Sequence, residues 1–413
     1  MQKLDELELP YLAMEDPAFA VDPLPHFAKA REQHPWLADC AFGKVVHQFD
    51  AIKDILYLDH SLVGAYTDVV DIMGARGTSW GRFQQESMLG SSGEKHARMR
   101  RVLAPAFTPQ RAKNHRPLMK EVIARHLDEW VPRGAFDFEE FASLFPIRVM
   151  CSLIGASHDV IPSIRSSLET FGMSMSMDKA ILPNLVEAMD VLDAFVQDLV
   201  AQRLKARKPA GEEDLLETLV STLDDGGLSE RELYDLLIFL FVAGYDTSKN
   251  ALTLAMDSLL LQPELYQRCA EDLDFCRKVV EENFRFLTTS TIARTVTKDI
   301  VYRDVLIPEG SLLFFTVNVA GRDPTAVEEP DSFDPERAQS RRHIAFGQGV
   351  HICLGQFIAR AQIEEGLHQI AQRIRNPRRT GPSSWRPFFG VWGLIGLPIE
   401  FDPAPARALE EVG

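Results

Sequence analysis

Apolar residues recur at three- and four-residue intervals from about residue 94 to 280, the spacing that turns one face of an α-helix toward a core. Val122, Ile123, His126, Leu127 and Trp130 make one such stripe, and Val191, Leu192, Phe195, Val196 and Leu199 another. The clearest helix is predicted to begin at Ser229. Ser229 and Glu232 have capping-box spacing, in which the serine accepts from a free backbone amide and the glutamate reaches back. The apolar pattern then runs to about Leu261, where Gln262 and Pro263 close it. About 33 residues at roughly 1.5 Å each span about 50 Å, enough to cross a whole domain. Its middle is apolar on nearly every side, so this helix is expected to be central and buried.

Elsewhere the period changes. In the first 60 residues AFGKVVHQF offers two short strand-like pieces around Gly43 and Lys44, and FDAIKDIL reads as a helix capped by Asp50. After Arg294, VTKDIVYRDVLIPEGSLLFFTVN alternates and is punctuated by Pro308-Glu309-Gly310, which predicts short strands joined by turns. A loop rich in Pro, Asp and Arg extends to about Arg342, and the glycine-punctuated stretch from Ala345 to Gly355 leads into another helix. FFGVWGLIGLPIEF reads as a further strand pair. No repeat, low-complexity block or Gly/Ser/Pro-rich linker divides the chain, so one domain over 1–413 is expected, mainly α with a minor β part.

Composition narrows the field without choosing a function. With 46% hydrophobic and 25% charged residues, a chain of 413 residues buries a large core and needs no disulfides. Its five cysteines, Cys40, Cys151, Cys269, Cys276 and Cys353, are scattered and form no CxxC pair. That argues against a disulfide framework or a structural zinc site and fits a reducing cytoplasm. Lys and Arg number 44 against 60 Asp and Glu, and a net charge of −16 does not suit a nucleic-acid binder. The N-terminal MQKLDELELPYL shows no secretory signal. The longest strongly apolar run, Leu236 to Gly244, ends before Asp246, well short of the ~20 residues a membrane span needs.

Chemistry concentrates in a few places. Cys353 lies in FGQGVHICLG, flanked by Gly347, Gly349 and Gly355, just before a predicted helix. Free amides and a helix dipole favour a thiolate there, the metal-ligating form. On this stretch alone, a small buried hydrophobe is an equal reading. Inside the long helix lies Ala243-Gly244-Tyr245-Asp246-Thr247. A carboxylate and a hydroxyl are expensive in an apolar helix. Either the glycine serves packing and Asp246 reaches solvent or a salt bridge, or the helix opens locally and aims an acid and an alcohol into a cavity. Glu282 and Arg285 lie three apart on one helix face, His96 and Arg100 four apart on another, and Arg294 just past a helix end. Each taken singly is an ordinary surface feature.

Taken together and in order, these stretches resemble the cytochrome P-450 family of haem-thiolate monooxygenases, of the soluble bacterial type. The segments are the C-helix piece with His96 and Arg100, the I-helix Ala243–Thr247, the K-helix Glu282-x-x-Arg285, AGRDP at 320–324, FDPER at 333–337 and the loop Phe346-x-x-Gly349-x-His351-x-Cys353-x-Gly355. The resemblance implies a single-domain fold with a long central I-helix over haem b (iron protoporphyrin IX) and the cysteine loop on the proximal side. Cys353 would ligate the iron, Phe346 shield it, and Gly349 with neighbouring amides accommodate the sulfur's charge. His96, Arg100, Arg294 and His351 would bind the haem propionates. Glu282, Arg285 and Arg337 would brace the scaffold on the cysteine side.

By the same resemblance Thr247 and Asp246 deliver protons during oxygen activation, Gly244 leaves room for O2, and Asn250 supports the same water chain. Two departures stand out: Gly321 replaces a common asparagine, and GSSGEKH is poorer in proline than most relatives. Phe239, Val242, Ala243, Ile292 and Val391 would line the cavity for a small-to-medium apolar substrate, with the segment from about Tyr66 to Met88 as a lid. One polar anchor is expected among Thr288, Thr289, Ser290 and Thr291. Hydroxylation is the expected outcome.

Electrons would come from a separate acidic ferredoxin and its reductase. Between Lys95 and Arg125 nine basic residues face one acidic residue, Glu121, and Arg341, Arg342, Arg373, Arg375, Arg378 and Arg379 add to that face. Arg98 and Arg101 are the expected docking contacts. Two other haem-thiolate functions, a sensor that does not turn over and a peroxide-driven peroxygenase, are disfavoured by the pair Asp246 and Thr247. No nucleic acid or membrane partner is expected.

Overall fold

The computed structural model describes residues 2–209, 211, 214–224, 226–338 and 343–404. The central helix, Glu230–Leu260, opens as the capping box requires. Ser229 Oγ accepts from the Glu232 amide at 3.3 Å, and Glu232 Oε2 accepts from the Ser229 amide at 2.9 Å. The Arg98 guanidinium also grips Glu232, and with Ser229 it outweighs burial and holds that carboxyl down at about 2. A depressed carboxylate contributes stability at pH values above its ordinary range, and that stability is lost as pH falls through about 2. The variant Glu232→Gln should therefore lose less stability than the native chain between about pH 5 and about pH 2. Denaturant unfolding across that range checks it, and equal acid slopes would contradict it.

Leu236, Leu237, Ile238, Phe241, Leu252 and Leu259 are buried around the whole circumference of this helix. Helices Phe138–Ile154, Leu182–Lys205 and Gln356–Arg373 pack directly on it, and Pro109–Trp130 closes the layer behind two of them. The helix is unbroken from Ala243 to Thr247, so no local opening forms there.

Strands gather at the edges of this helical body. A five-stranded sheet runs in the order Leu37–Cys40, Gly43–Val46, Leu312–Phe315, Ile292–Val296, Leu62–Gly64. Its first two strands form a hairpin with Cys40 opposite Gly43. Only the second falls within AFGKVVHQF, and the first lies just before that stretch rather than in it. Arg294 lies within the fourth strand, beyond helix Leu273–Phe286, rather than at a helix end. The C-terminal apolar stretch does not fold on itself as a pair. Leu394–Ile395 joins Ser384–Trp385, while Pro398–Pro403 lies between Ile374–Arg379 and Ala135–Asp137. Asp50 sits in the first turn of Phe49–Leu56 and is not its cap; Asp323 Oδ2 takes the Phe49 amide at 2.8 Å. No helix among the described residues is long and apolar enough to cross a membrane.

Candidate active site

A cavity of about 380 Å³ opens between the middle of the central helix, the Cys353 loop and the segment 66–89. Helix Gln356–Arg373 starts just past the cysteine, with Gly355 at its N-cap. The Cys353 side chain opens onto the cavity, and its backbone amide donates to the Phe346 carbonyl at 2.9 Å. Depth within the protein pushes the thiol up, while the Gly355 amide, Arg100 and Arg360 pull against that. Phe284 meets the Phe346 ring edge-on at 4.8 Å, and the Arg360 guanidinium lies 4.3 Å from its centre. Gly349 has φ +72°, and a side chain there would strike Asp59, whose Oδ2 accepts from the Val350 amide at 3.0 Å. This glycine serves the turn; the amide acting on the sulfur is that of Gly355.

Four basic side chains converge at one end of the cavity. His96 and Arg100 come from helix Gly93–Leu103, Arg294 from strand Ile292–Val296 and His351 from the turn Gly349–His351. The two imidazoles lie 4.3 Å apart, centre to centre. Arg100 donates to the Ile352 carbonyl at 2.7 Å and Arg294 to that of Ala293 at 2.9 Å. Burial lowers both guanidinium groups; burial and then these same cations lower His96 and push His351 down to about 3. Such a set lacks anions, and two carboxylates entering together would relieve all four groups. Among the described residues no group of three or more His, Cys, Asp or Glu could hold a bare ion. One cysteine beside an apolar cavity suits an iron that brings its own ring of ligands and two carboxylates. Haem meets each of these demands.

The central helix forms the opposite wall with Ala243, Gly244, Asp246 and Thr247. Thr247 Oγ1 donates to the Ala243 carbonyl at 2.9 Å, a bond open to helical threonine that leaves its acceptor lone pairs toward the cavity. Gly244 is packed by Met150, whose Sδ would lie 2.6 Å from an added Cβ. Asp246 is 2% exposed and chelated by Arg386 Nη1 at 2.7 and 2.5 Å, with Lys249 Nζ 3.6 Å away. Lys249 in turn binds Glu139 and Glu169 at 2.7 Å each, and Tyr245 donates to Glu169. Burial pushes Glu169 up, but Lys249, Tyr245 and Arg386 together bring it below the ordinary carboxylate value. With Glu139 and Glu169 side chains 20% and 31% exposed, a continuous set of ionisable groups links the cavity wall to solvent. Asn250 is absent from that wall. Its Nδ2 donates to the Asp246 carbonyl at 2.8 Å and to its carboxylate at 3.2 Å.

Phe239, Val242, Ala243, Ile292 and Val391 all line the cavity, as do Thr288, Thr289, Ser290 and Thr291. Thr291 spends its hydroxyl on the Phe388 carbonyl at 3.0 Å, and Thr289 and Ser290 bond each other at 3.3 Å.

Behind the cysteine loop, Glu282 is fully buried and bidentate with Arg285, at 2.8 and 2.7 Å. Arg285 also donates to the carbonyls of Gly321, Pro330 and Ser332, each at 2.8 Å, and Arg337 reaches Glu282 at 3.3 Å. Gly321 explains the missing asparagine, because any Cβ there would lie 2.0 Å from the Arg285 carbonyl oxygen.

The basic face is smaller than its residue count. Arg98 is held by Glu232, Arg116 by Glu364 and Glu365, Lys120 lies 3.7 Å from Glu365, and Arg125 pairs with Glu121. Arg100 faces the cavity. Arg373, Arg378 and Arg379 pair with Asp128, Glu400 and Asp257. Arg101 lies 3.7 Å from Glu94. Lys95, Arg111, Lys113 and Arg375 remain exposed, while Arg341 and Arg342 lie outside the described residues.

Sequence reasoning missed Met150, Glu169 and Arg386. One signal was present: Lys249, three residues from Asp246 in an apolar helix, needs an anion.

A cysteine loop facing a buried acid–alcohol helix, in this mainly helical body, defines a haem-thiolate enzyme. The sequence matches the family described as Cytochrome P450 over residues 71–376. It is 31% identical over 402 residues to luteothin monooxygenase of Streptomyces thioluteus, covering 96% of this chain and 97% of that one. Pentalenic acid synthase of Streptomyces avermitilis is 31% identical over 330 residues, covering 77% and 78%. Among solved structures, that of CalO2 superposes with a TM-score of 0.85 at 22% identity, over 96% of this chain and all of that one. The chain belongs to the cytochrome P450 family, is a monooxygenase and takes haem b as its cofactor.

Proposed function

We propose that this chain, as a single haem domain, inserts one oxygen atom from O2 into a small-to-medium apolar molecule, with hydroxylation the favoured outcome. The observation that carries this reading is the cavity itself, with Cys353 on one wall and Asp246 and Thr247 on the other. Haem bound here supplies dioxygen activation at a thiolate-ligated iron. Cys353 would be the ligand, with Phe346 and the Gly355 amide beside it and Gly349 shaping the turn. His96, Arg100, Arg294 and His351 would neutralise the two propionates. Glu282, Arg285 and Arg337 would hold the segment beneath the loop.

On the opposite wall Thr247 Oγ1, whose own proton goes to the Ala243 carbonyl, would accept a hydrogen bond from an ordered water, while the room that Gly244 leaves is taken up by Met150. Asp246 would pass protons inward, with Lys249 and Arg386, both kept protonated, holding it in one charged set with Glu169 and Glu139 that reaches solvent. Asn250 would fix the Asp246 rotamer. Phe239, Val242, Ala243, Ile292 and Val391 would exclude bulk water and hold the apolar skeleton. The retained acid–alcohol pair, with its link to solvent, favours turnover on O2 over a sensing role or peroxide-driven catalysis. A cytoplasmic location matches the five reduced cysteines.

Electrons would reach this site from an acidic ferredoxin served by its reductase. The exposed cations Lys95, Arg101, Arg111 and Lys113, of which Arg101 lies 3.7 Å from Glu94, favour docking near helix Gly93–Leu103. Neutralising Arg101 and Lys113 should slow ferredoxin-dependent reduction about 10-fold at low salt while leaving substrate affinity unchanged. Stopped-flow reduction checks it, and an unchanged low-salt rate would exclude this face. Arg98 is the wrong residue for that test, because its loss would also loosen the start of the central helix.

A further inference from the structure

The lid over the cavity is pinned. Helix Ser79–Glu86 is capped by Thr78 and tied to the central helix by Arg82, which makes two bonds to the buried Asp235 at 2.9 and 3.0 Å. Trp80, fully buried, donates to Ser174 Oγ at 3.3 Å. Beyond the helix the chain folds back, and Ser91 Oγ donates to the Ser87 carbonyl at 2.8 Å. This rigid element turns Gln84 and Ser87, three residues apart and therefore on one side, onto the cavity wall. Gln84 is 4% exposed and Ser87 1%, yet neither side chain has a hydrogen-bond partner among the described residues. Around them stand Phe83, Met88, Leu89, Phe171 and Met175.

A carboxamide held rigidly in an apolar cavity with no protein partner is costly until something in that cavity meets it, so the fold has a use for it. The Thr288–Thr291 stretch is a weaker anchor, since three of its four hydroxyls are already bonded. We infer that Gln84, assisted by Ser87, is the polar anchor of the substrate cavity, and that the substrate carries a neutral oxygen function, a carbonyl or hydroxyl, on an otherwise apolar skeleton.

Both groups are uncharged, so a carboxylate placed against them would lack compensation. The cavity's cations without an anion, Arg100 and Arg294, belong with His96 and His351 to the cluster that the propionates would claim. The amide supplies two N–H donors and one carbonyl acceptor, which serves a ketone, lactone or alcohol equally well. Because the lid is pinned before binding, little ordering is needed to make the bond.

This inference rests on the haem-thiolate reading, and its test keeps the two apart by using ligands that bind the iron themselves. The compounds are 1-(4-acetylphenyl)imidazole and its near-isostere 1-(4-isopropylphenyl)imidazole, with their biphenyl homologues for longer reach. Spectral titration of the holoenzyme gives Kd for each. In the native chain the acetyl compound should gain over the isopropyl one at one of the two lengths. The variants Gln84→Leu and Gln84→Glu should each reduce that ratio about 10-fold, because leucine removes every donor and glutamate presents an anion to the carbonyl. Isopropyl binding should hold or tighten in Gln84→Leu. A purely structural Gln84 would shift both compounds alike. An acetyl-to-isopropyl ratio that is the same in native and variant proteins at both lengths overturns the inference. Failure of any imidazole to perturb the haem spectrum would instead strike at the haem site.

Discussion

The variant Arg285→Leu is expected to accumulate without haem, or to lose it on mild warming. Glu282 is fully buried, and Arg285 supplies two of the bonds that let a carboxylate exist there, the Oε2 bond among them, while Arg337 and the Asp334 amide reach only Oε1. Removing one partner of a buried pair costs about 3–5 kcal/mol, because the remaining charge is stranded. The carbonyls of Gly321 and Pro330 would lose a donor as well, while that of Ser332 would keep Arg337 at 2.7 Å. Total stability is only about 5–15 kcal/mol, so the segment 321–337 should come away from the helix that supports the cysteine loop. Arg285→Lys should fall between, keeping the charge but unable to serve five acceptors from one planar fork. The haem-to-protein absorbance ratio and the thermal midpoint of each variant measure this. Native haem content in Arg285→Leu would show that the cluster does not hold the loop.

The second large effect is expected at Asp246. Asp246→Asn keeps the shape and the Asn250 contact but removes the charge that Arg386 chelates. Positioned proton transfer contributes roughly 10²–10⁴-fold to rate, so product formation should drop by at least about 10². The haem spectrum and ligand affinity should be unchanged. Thr247→Ala should fail differently: electron consumption continues, but reducing equivalents appear as hydrogen peroxide instead of product. Coupled assays of O2 uptake, peroxide and product separate the two. Full coupling in Thr247→Ala would remove that hydroxyl from the proton path.

What could be read in advance was whatever short-range spacing decides. Ser229 and Glu232 announced the start of the central helix because a capping box is complete within four residues. The glycines and Cys353 marked their loop for the same reason, and the cavity-lining apolar residues lie where their resemblance to the family put them. Pairs made across the chain were not legible. Asp246 finds Arg386 140 residues away, and Arg98 finds Glu232 134 residues away. The second pairing also undid the docking role expected of Arg98, since counting charge along a segment ignores the acids that other segments bring. Asp50 lost the cap to Asp323 on the same ground: a distant carboxylate reaches the Phe49 amide. The C-terminal apolar run could not reveal its pairing either, because its strands complete two sheets whose other members lie elsewhere in the chain. Gln84 was hidden for another reason. A glutamine in a polar-looking helix reads as surface until the fold turns it inward.

Everything proposed for catalysis depends on Cys353 acting as a thiolate toward iron. The measurement that bears on it most directly is the absorption spectrum of the purified protein, reduced and exposed to carbon monoxide, beside the same spectrum of Cys353→Ser. A strongly red-shifted Soret band in the native chain, lost in the variant, is the expected result. A native band at the position of a histidine- or thiol-ligated haem would mean that Cys353 is no working thiolate, and the proposed oxygen chemistry would fall with it.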